Sequence, residues 1–90
     1  MDEQEQEQII QDEWEKKKNR IIQKNADYVE TFSSIRGVKA LGHISDLCLE
    51  HEDTFVAGDQ YKSAYNQGAR MVILEIRHWL NIDLTKLEKE

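Results

Sequence analysis

Residues 60–81 read QYKSAYNQGARMVILEIRHWLN, and they carry the pattern that decides the fold. Apolar side chains recur in this stretch at intervals of three and four residues, which places them on one face of a helix. The stripe consists of Tyr61, Tyr65, Val72, Ile76, Trp79 and Leu80, with Gly68 in its middle. We therefore predict a long final helix over residues 60–81 that packs through this face.

Three glycines lie inside predicted helices, where each costs about 1 kcal/mol relative to alanine. Gly68 follows Ala64 by four residues, and two small residues at this spacing allow another backbone to approach closely. Gly37 and Gly42 weaken the preceding helix in the same way. We predict close helix packing at Gly37, Gly42, Ala64 and Gly68.

The preceding helix is predicted to start at a cap formed by Ser33 or Ser34 and to run to about Glu50. Its apolar residues repeat with a period near 3.6 and are Val38, Leu41, Ile44, Leu47 and Cys48. Residues 51–58 are polar except for Phe55, Val56 and Ala57, and they are predicted to form a connecting loop in which Phe55 tucks back onto the body. Asp59 is predicted to cap the final helix, and residues 82–90 to form a frayed or short helical turn.

Residues 1–26 are predicted to form an acidic, amphipathic N-terminal arm, and residues 27–90 a small helical domain. Glu, Gln, Lys and Arg favour helix up to Asn25, and Asn and Asp at residues 25–27 predict a break before a helical turn at residues 28–32. A fully helical arm would be about 36 Å long, so we expect part of it to project. With no proline in the chain, the fold class is all-α, a small helical bundle of about three helices.

The arm contains few apolar side chains, and Ile9, Ile10 and Trp14 are the predicted partner-binding residues. Tryptophan supplies a large apolar area and dominates many interfaces. Two alternatives for Trp14 remain open: it packs on its own body, or on the same helix of a second copy.

Composition limits the classes of function. The net charge of −6 argues against a protein that mainly binds nucleic-acid phosphates. The only basic cluster, within residues 16–24, follows Asp12, Glu13 and Glu15, so we expect a solvated, ion-paired helix face. Cys48 is the only cysteine, which excludes an intrachain disulfide and favours a reducing compartment. The N-terminus lacks the features of a signal peptide, and no apolar run is long enough to span a membrane.

The sequence does not favour several kinds of functional site. His43, Cys48 and His51 include zinc-binding residue types, but a fourth ligand is missing, so a buried cysteine and two ordinary histidines are expected. The carboxylates at Asp46, Glu50, Glu52 and Asp53 lack the spacing of a calcium loop and are expected to lie at a solvated helix end. The loop at residues 51–58 is too long for a DNA-binding helix-turn-helix. We predict no catalytic, metal or cofactor-binding residues.

Residues 32–80 carry landmarks of a known family: Phe32, Gly37, Val38, Leu41, Leu47, Cys48 and Phe55, then Ala64, Tyr65, Gln67, Gly68, Ala69 and Arg70 before Trp79 and Leu80. They resemble the small phage-domain family typified by a protein of the Bordetella podovirus, encoded among head and portal genes of tailed phages. The family pattern has an acidic residue before the glycine, where this chain has Gln67. The N-terminal arm lies outside the resemblance.

The resemblance implies a small helical protein of a virion or of its assembly pathway, without enzyme activity. The expected partners are other virion proteins of the head, portal or neck, or copies of the chain itself, and the expected location is the virion and, during assembly, the host cytoplasm. Neither a specific nucleic acid nor a membrane is expected. The alternative is a small acidic regulatory adaptor that binds a host or phage protein.

Overall fold

Three α-helices make up the fold, as expected for an all-α chain. The computed structural model describes residues 2–87, and within them the helices are α1 (Glu3–Phe32), α2 (Ile35–Leu47) and α3 (Gln60–Leu80), followed by a short 3-10 helix (Leu84–Leu87). The last helix agrees with the prediction for residues 60–81, and the 3-10 helix with the expected extra turn. The part of that prediction that covers residues 88–90 lies outside the described residues.

Helix α1 is continuous, so the break predicted at residues 25–27 is wrong. Asn25 does not compete for the backbone of its own helix, because its amide Nδ2 donates to the carbonyl oxygen of Trp79 at 2.7 Å. Asp27 accepts a hydrogen bond from Gln23 one turn earlier at 2.9 Å. At the start of the helix, Asp2 caps the first turn by accepting from the backbone N–H of Glu5.

The corner between α1 and α2 is tight. Ser34 is the cap of α2, and its hydroxyl accepts from the backbone N–H of Gly37 at 2.9 Å. A Cβ atom at Gly37 would overlap the carbonyl oxygen of Thr31 and lie 2.9 Å from Cα of Phe32. The predicted close approach at Gly37 is therefore confirmed, and it occurs against the end of the preceding helix.

The loop between α2 and α3 is held to the start of α3 by hydrogen bonds. The hydroxyl of Ser63 accepts from the backbone N–H of Val56 at 2.8 Å, and the side chain of Asn66 donates to the carbonyl oxygen of Thr54. Asp59 caps α3, as predicted, by accepting from the backbone N–H of Lys62 at 2.8 Å. Phe55 is exposed, so the prediction that it tucks back onto the body is wrong.

The core is small, and more than half of the buried residues are polar. Leu41 of α2 and Ile73 of α3 are the buried apolar residues among residues 2–87. Three polar residues are buried beside them: Ser45, Glu50 and Asn66. Val38 and Leu47 of the predicted α2 stripe are exposed, because α2 turns its Leu41 and Ser45 side inward.

Helix α3 is rotated by about one residue, or 100°, from the prediction. Its buried residues are Asn66 and Ile73, whereas Tyr61 and Tyr65 are 85% and 72% exposed. Only the end of the predicted stripe is covered, where α1 packs on it. There the rings of Tyr28 and Trp79 stack with centroids 6.4 Å apart.

The molecule is elongated, which confirms that part of the N-terminal helix projects. The radius of gyration of its Cα atoms is 18.9 Å, and its longest dimension is 60 Å. A compact chain of this length would have a radius of gyration of about 12 Å. Helix α1 contacts Trp79 through Lys24, whose ammonium lies 4.2 Å from the ring centroid. None of the helices described here has the length and apolar character needed to cross a membrane.

Candidate interaction surfaces

A buried carboxylate organises the junction of α2 and α3. Glu50 is 9% exposed, and both of its carboxylate oxygens accept from the guanidinium of Arg77, at 2.9 and 3.0 Å. The hydroxyl of Ser45 donates to the same carboxylate at 2.7 Å. Arg70 donates to the Glu50 backbone carbonyl at 3.2 Å. The expectation that Glu50 lies at a solvated helix end is therefore wrong.

The backbone turns Glu50 inward immediately after α2. Leu49 has a φ of 57°, in the left-handed region that non-glycine residues seldom adopt. This residue reverses the chain, and the backbone N–H of Glu50 then donates to the carbonyl oxygen of Ser45 at 3.1 Å. The ion pair with Arg77 thus joins the end of α2 to the last third of α3, and its role is structural.

Acid should weaken this junction. The pKa of the Glu50 carboxyl is lowered from 4.5 to about 2, first by the hydrogen bond from Arg77 and then by that from Ser45. Because the folded-state pKa lies below the unfolded-state value, the stabilisation is complete above about pH 4.5 and is lost as the pH falls towards 2. We expect the gap in unfolding free energy between the natural chain and Glu50→Gln to shrink over that range. Urea titrations at several pH values measure it, and a constant gap would contradict this role for Glu50.

An apolar surface remains open on α3. Tyr61, Tyr65 and Val72 form, with Gly68, the first part of the predicted stripe, and all four residues are exposed. We call this set the α3 stripe. The ammonium of Lys62 lies 5.4 Å from the centroid of the Tyr65 ring, so a positive charge borders the α3 stripe. Tyr65 itself remains 72% exposed.

A groove between α1 and α3 adjoins the α3 stripe. One hollow of about 330 Å³ is lined by Asp27, Tyr28, Thr31, Phe32 and Ile76. A second hollow shares Tyr28 and Ile76 with it and continues to Met71, Val72 and Glu75. Val72 belongs to both the groove and the α3 stripe, so the two form one continuous, mainly apolar surface.

The predicted close packing at Gly42 and Gly68 is wrong within this chain. A Cβ atom at either position would have no other atom within 4 Å. Ala64 is exposed and borders a shallow hollow with Phe55 and Gly58. Of the three glycines predicted to pack closely, Gly37 alone has a near neighbour from another helix of the described chain.

Substitution of Gly68 should accordingly leave the isolated chain folded. We expect Gly68→Ala to raise the free energy of unfolding by about 0.5–1 kcal/mol, because alanine favours helix and meets no obstacle. Gly68→Leu should be at least as stable as the natural chain for the same reason. Urea titrations of both variants check this. A large loss of stability in the leucine variant alone would reveal a close neighbour at this turn.

The N-terminal residues predicted to bind a partner differ in exposure. Ile9 and Ile10 are exposed, Ile10 to 67%, and Trp14 is half-buried. The acidic and basic groups of this region form no ion pairs with one another: within residues 2–87, the ion pairs join Glu50 to Arg77 and to His51. The expectation of an ion-paired face is wrong on this point, since Asp12 accepts instead from the side chain of Gln8.

His43, Cys48 and His51 do not come together. Among the residues that the structure describes, no three His, Cys, Asp or Glu side chains form a group that could hold a metal ion. His51 lies instead with its Nε2 3.5 Å from the Glu50 carboxylate. Cys48 is the C-cap residue of α2 and is half-buried.

Comparisons of the chain with protein-family models, with curated proteins and with solved structures found no match. The resemblance of residues 32–80 to the phage-domain family is therefore an inference from the motif alone. In that motif, Gln67 is exposed, and Arg70 donates to the Glu50 carbonyl.

Proposed function

We propose that this chain is a non-enzymatic structural or virion-associated protein of a tailed phage, in the region of the head or portal. It acts through helix-mediated protein–protein contacts. The observation that carries the proposal is the continuous apolar surface formed by the α3 stripe and the adjoining groove. Contiguous apolar patches rimmed by polar residues mark interaction sites in soluble proteins.

The small core supports the same proposal. With Leu41 and Ile73 as its buried apolar residues, the described chain has little apolar burial to offset the entropy lost on folding. A protein that covered the α3 stripe would bury further apolar area and would stabilise the folded state by binding it. The aromatic rings of Tyr61 and Tyr65 suit such a role, because tyrosine provides a large contact area and a polar end.

Gly68 suits a docking surface. It leaves a gap between Tyr65 and Val72, where a partner backbone can approach the helix closely. The helical cost of an interior glycine has no compensating contact within the chain, and a contact across an interface would supply one. The proposal that the partner belongs to a phage rests on the resemblance of residues 32–80. The partners that this resemblance implies are other virion proteins.

The test removes apolar area from the surface without touching the core. We expect Tyr65→Ser/Val72→Ser to remain folded by circular dichroism and to be recovered with purified phage particles at least about tenfold less than the natural chain. The control is Gln67→Ser, since Gln67 is exposed on a different side of α3. Equal recovery of the double variant would show that the α3 stripe is not the docking surface. Failure to recover even the natural chain would overturn the proposed function.

A further inference from the structure

Residues 7–24 of α1 contain a mirrored pattern of charge and apolarity. Residues 7–15 read EQIIQDEWE, and residues 16–24 read in reverse are KQIIRNKKK. Residue i corresponds to residue 31−i in this comparison, so glutamine falls on glutamine and isoleucine on isoleucine. Acidic residues at 7, 13 and 15 fall on lysines at 24, 18 and 16. The first half contains four acidic and no basic side chains, and the second half five basic and no acidic ones.

Two copies of α1 can lie side by side in opposite directions, with the junction between residues 15 and 16 of each at the same height. Residue i of one copy then lies level with residue 31−i of the other. The seam positions follow spacings of three and four residues and are Glu7, Ile10, Trp14, Lys17, Ile21 and Lys24. In this register Ile10 meets Ile21 of the second copy, and Glu7 meets Lys24. Trp14 meets Lys17, whose ammonium can lie over the indole ring.

The flank of the seam matches as well. Glu13 and Arg20 lie on the same side of the seam, one position before Trp14 and Ile21. In the antiparallel arrangement Glu13 of each copy faces Arg20 of the other, which gives two equivalent ion pairs. In a parallel arrangement the charged seam residues Glu7, Lys17 and Lys24 would instead each face the same residue of the second copy, and like charges side by side oppose association.

The structure leaves this segment able to pair. Its charged groups have no ion-pair partners within the described chain, and Ile10 and Lys17 are exposed. Trp14 and Ile21 are half-buried and keep part of their surface free. The contacts that α1 makes with Trp79 come from Lys24, Asn25 and Tyr28, at and beyond the end of the mirrored segment.

We propose that the partner of this segment is a second copy of the chain, paired in antiparallel orientation over residues 7–24. The proposal rests on the proposed function, since it names one of the protein–protein contacts. The two bodies then lie at opposite ends of the paired helices. The levels of the two Asn25 residues are separated by 19 residues, or about 29 Å along the axis, so the two bodies are attached at well-separated points.

Charge reversal tests the pairing. Sedimentation equilibrium of the full chain should show a dimer whose dissociation constant rises with salt. Glu13→Lys and Arg20→Glu should each weaken it about tenfold or more, because each creates two like-charge contacts. The double variant restores opposite charges and should return to within about threefold of the natural value. An equimolar mixture of the two single variants should also form dimers, since each supplies the charge that the other lacks.

Disulfide trapping tests the orientation. In a Cys48→Ser background, Ile10→Cys and Ile21→Cys chains are mixed under mild oxidation. The antiparallel seam predicts that disulfides form mainly between the two different variants. Disulfides mainly between identical variants would show a parallel pair and overturn the proposal. Circular dichroism confirms that every variant is helical.

The outcome separates this proposal from the proposed function. A chain that is monomeric at all concentrations but is recovered with phage particles would overturn the antiparallel pairing and leave the proposed function standing. A dimer that ignores both charge reversals would also overturn the pairing. A salt-sensitive antiparallel dimer that is absent from particles would support the pairing and contradict the proposed function.

Discussion

Replacing Arg77 with methionine is expected to lower the free energy of unfolding by about 2–4 kcal/mol, because it leaves the buried Glu50 carboxylate without its bidentate partner. This expected loss is smaller than the largest losses seen when buried ion pairs are broken, because the Arg77 side chain is itself 38% exposed. The hydroxyl of Ser45 cannot compensate, since it supplies one hydrogen bond and no charge. Urea titration at neutral pH measures the effect.

The control for this prediction is Arg36→Met, which removes an exposed arginine from α2 and should change stability by less than about 0.5 kcal/mol. The double variant Glu50→Leu/Arg77→Met should lose less unfolding free energy than the sum of the losses in the two single variants. A coupling free energy of about 1–3 kcal/mol is expected for residues in direct contact. Additive losses, or equal effects of the two arginine changes, would show that the pair does not hold the α2–α3 junction.

Replacing Ile73 with alanine is the second large change, with an expected loss of about 2–5 kcal/mol. Ile73 is fully buried, so the substitution removes apolar contacts and leaves a cavity at the centre of the core. A domain of this length has a total stability of about 5–13 kcal/mol, so the variant should be partly unfolded under mild denaturing conditions.

The neighbouring position supplies a matched control. Val72→Ala removes similar apolar atoms from a side chain that is 54% exposed, and we expect a loss below about 1 kcal/mol. Thermal or urea unfolding of the two variants therefore reports which face of α3 is inside. The reverse order of the two losses would show that α3 buries the stripe predicted from the sequence.

Local signals in the sequence correctly predicted where α2 and α3 begin. Ser34 and Asp59 cap α2 and α3 because a short polar side chain before a helix accepts from a free backbone N–H, which depends on few neighbours. Asn25 misled the prediction because its effect depends on a distant partner. Its amide binds the carbonyl of Trp79, 54 positions later, and the helix continues.

The spacing of apolar residues in the sequence could not identify which face of α3 is buried. Apolar side chains occur on more than one side of this helix, and the inward face includes the polar Asn66 and Arg77. The inward placement of Arg77 depends on Glu50, which is brought within reach by the left-handed turn at Leu49. Nothing in the local sequence indicates that a leucine adopts this conformation. The Glu50–Arg77 pair also joins residues 27 positions apart, which a local pattern does not relate. Glycine there would have suggested the turn.

We propose that this chain acts as a component of a phage particle, and the most direct test is to measure its copy number in that particle. Quantitative mass spectrometry of purified particles, with isotope-labelled peptides of the chain as standards, gives the number of copies per particle. We expect a fixed number of copies that persists after salt washing. Absence from particles, with the folded chain found instead bound to a host or phage protein in the lysate, would contradict the account and favour a regulatory adaptor.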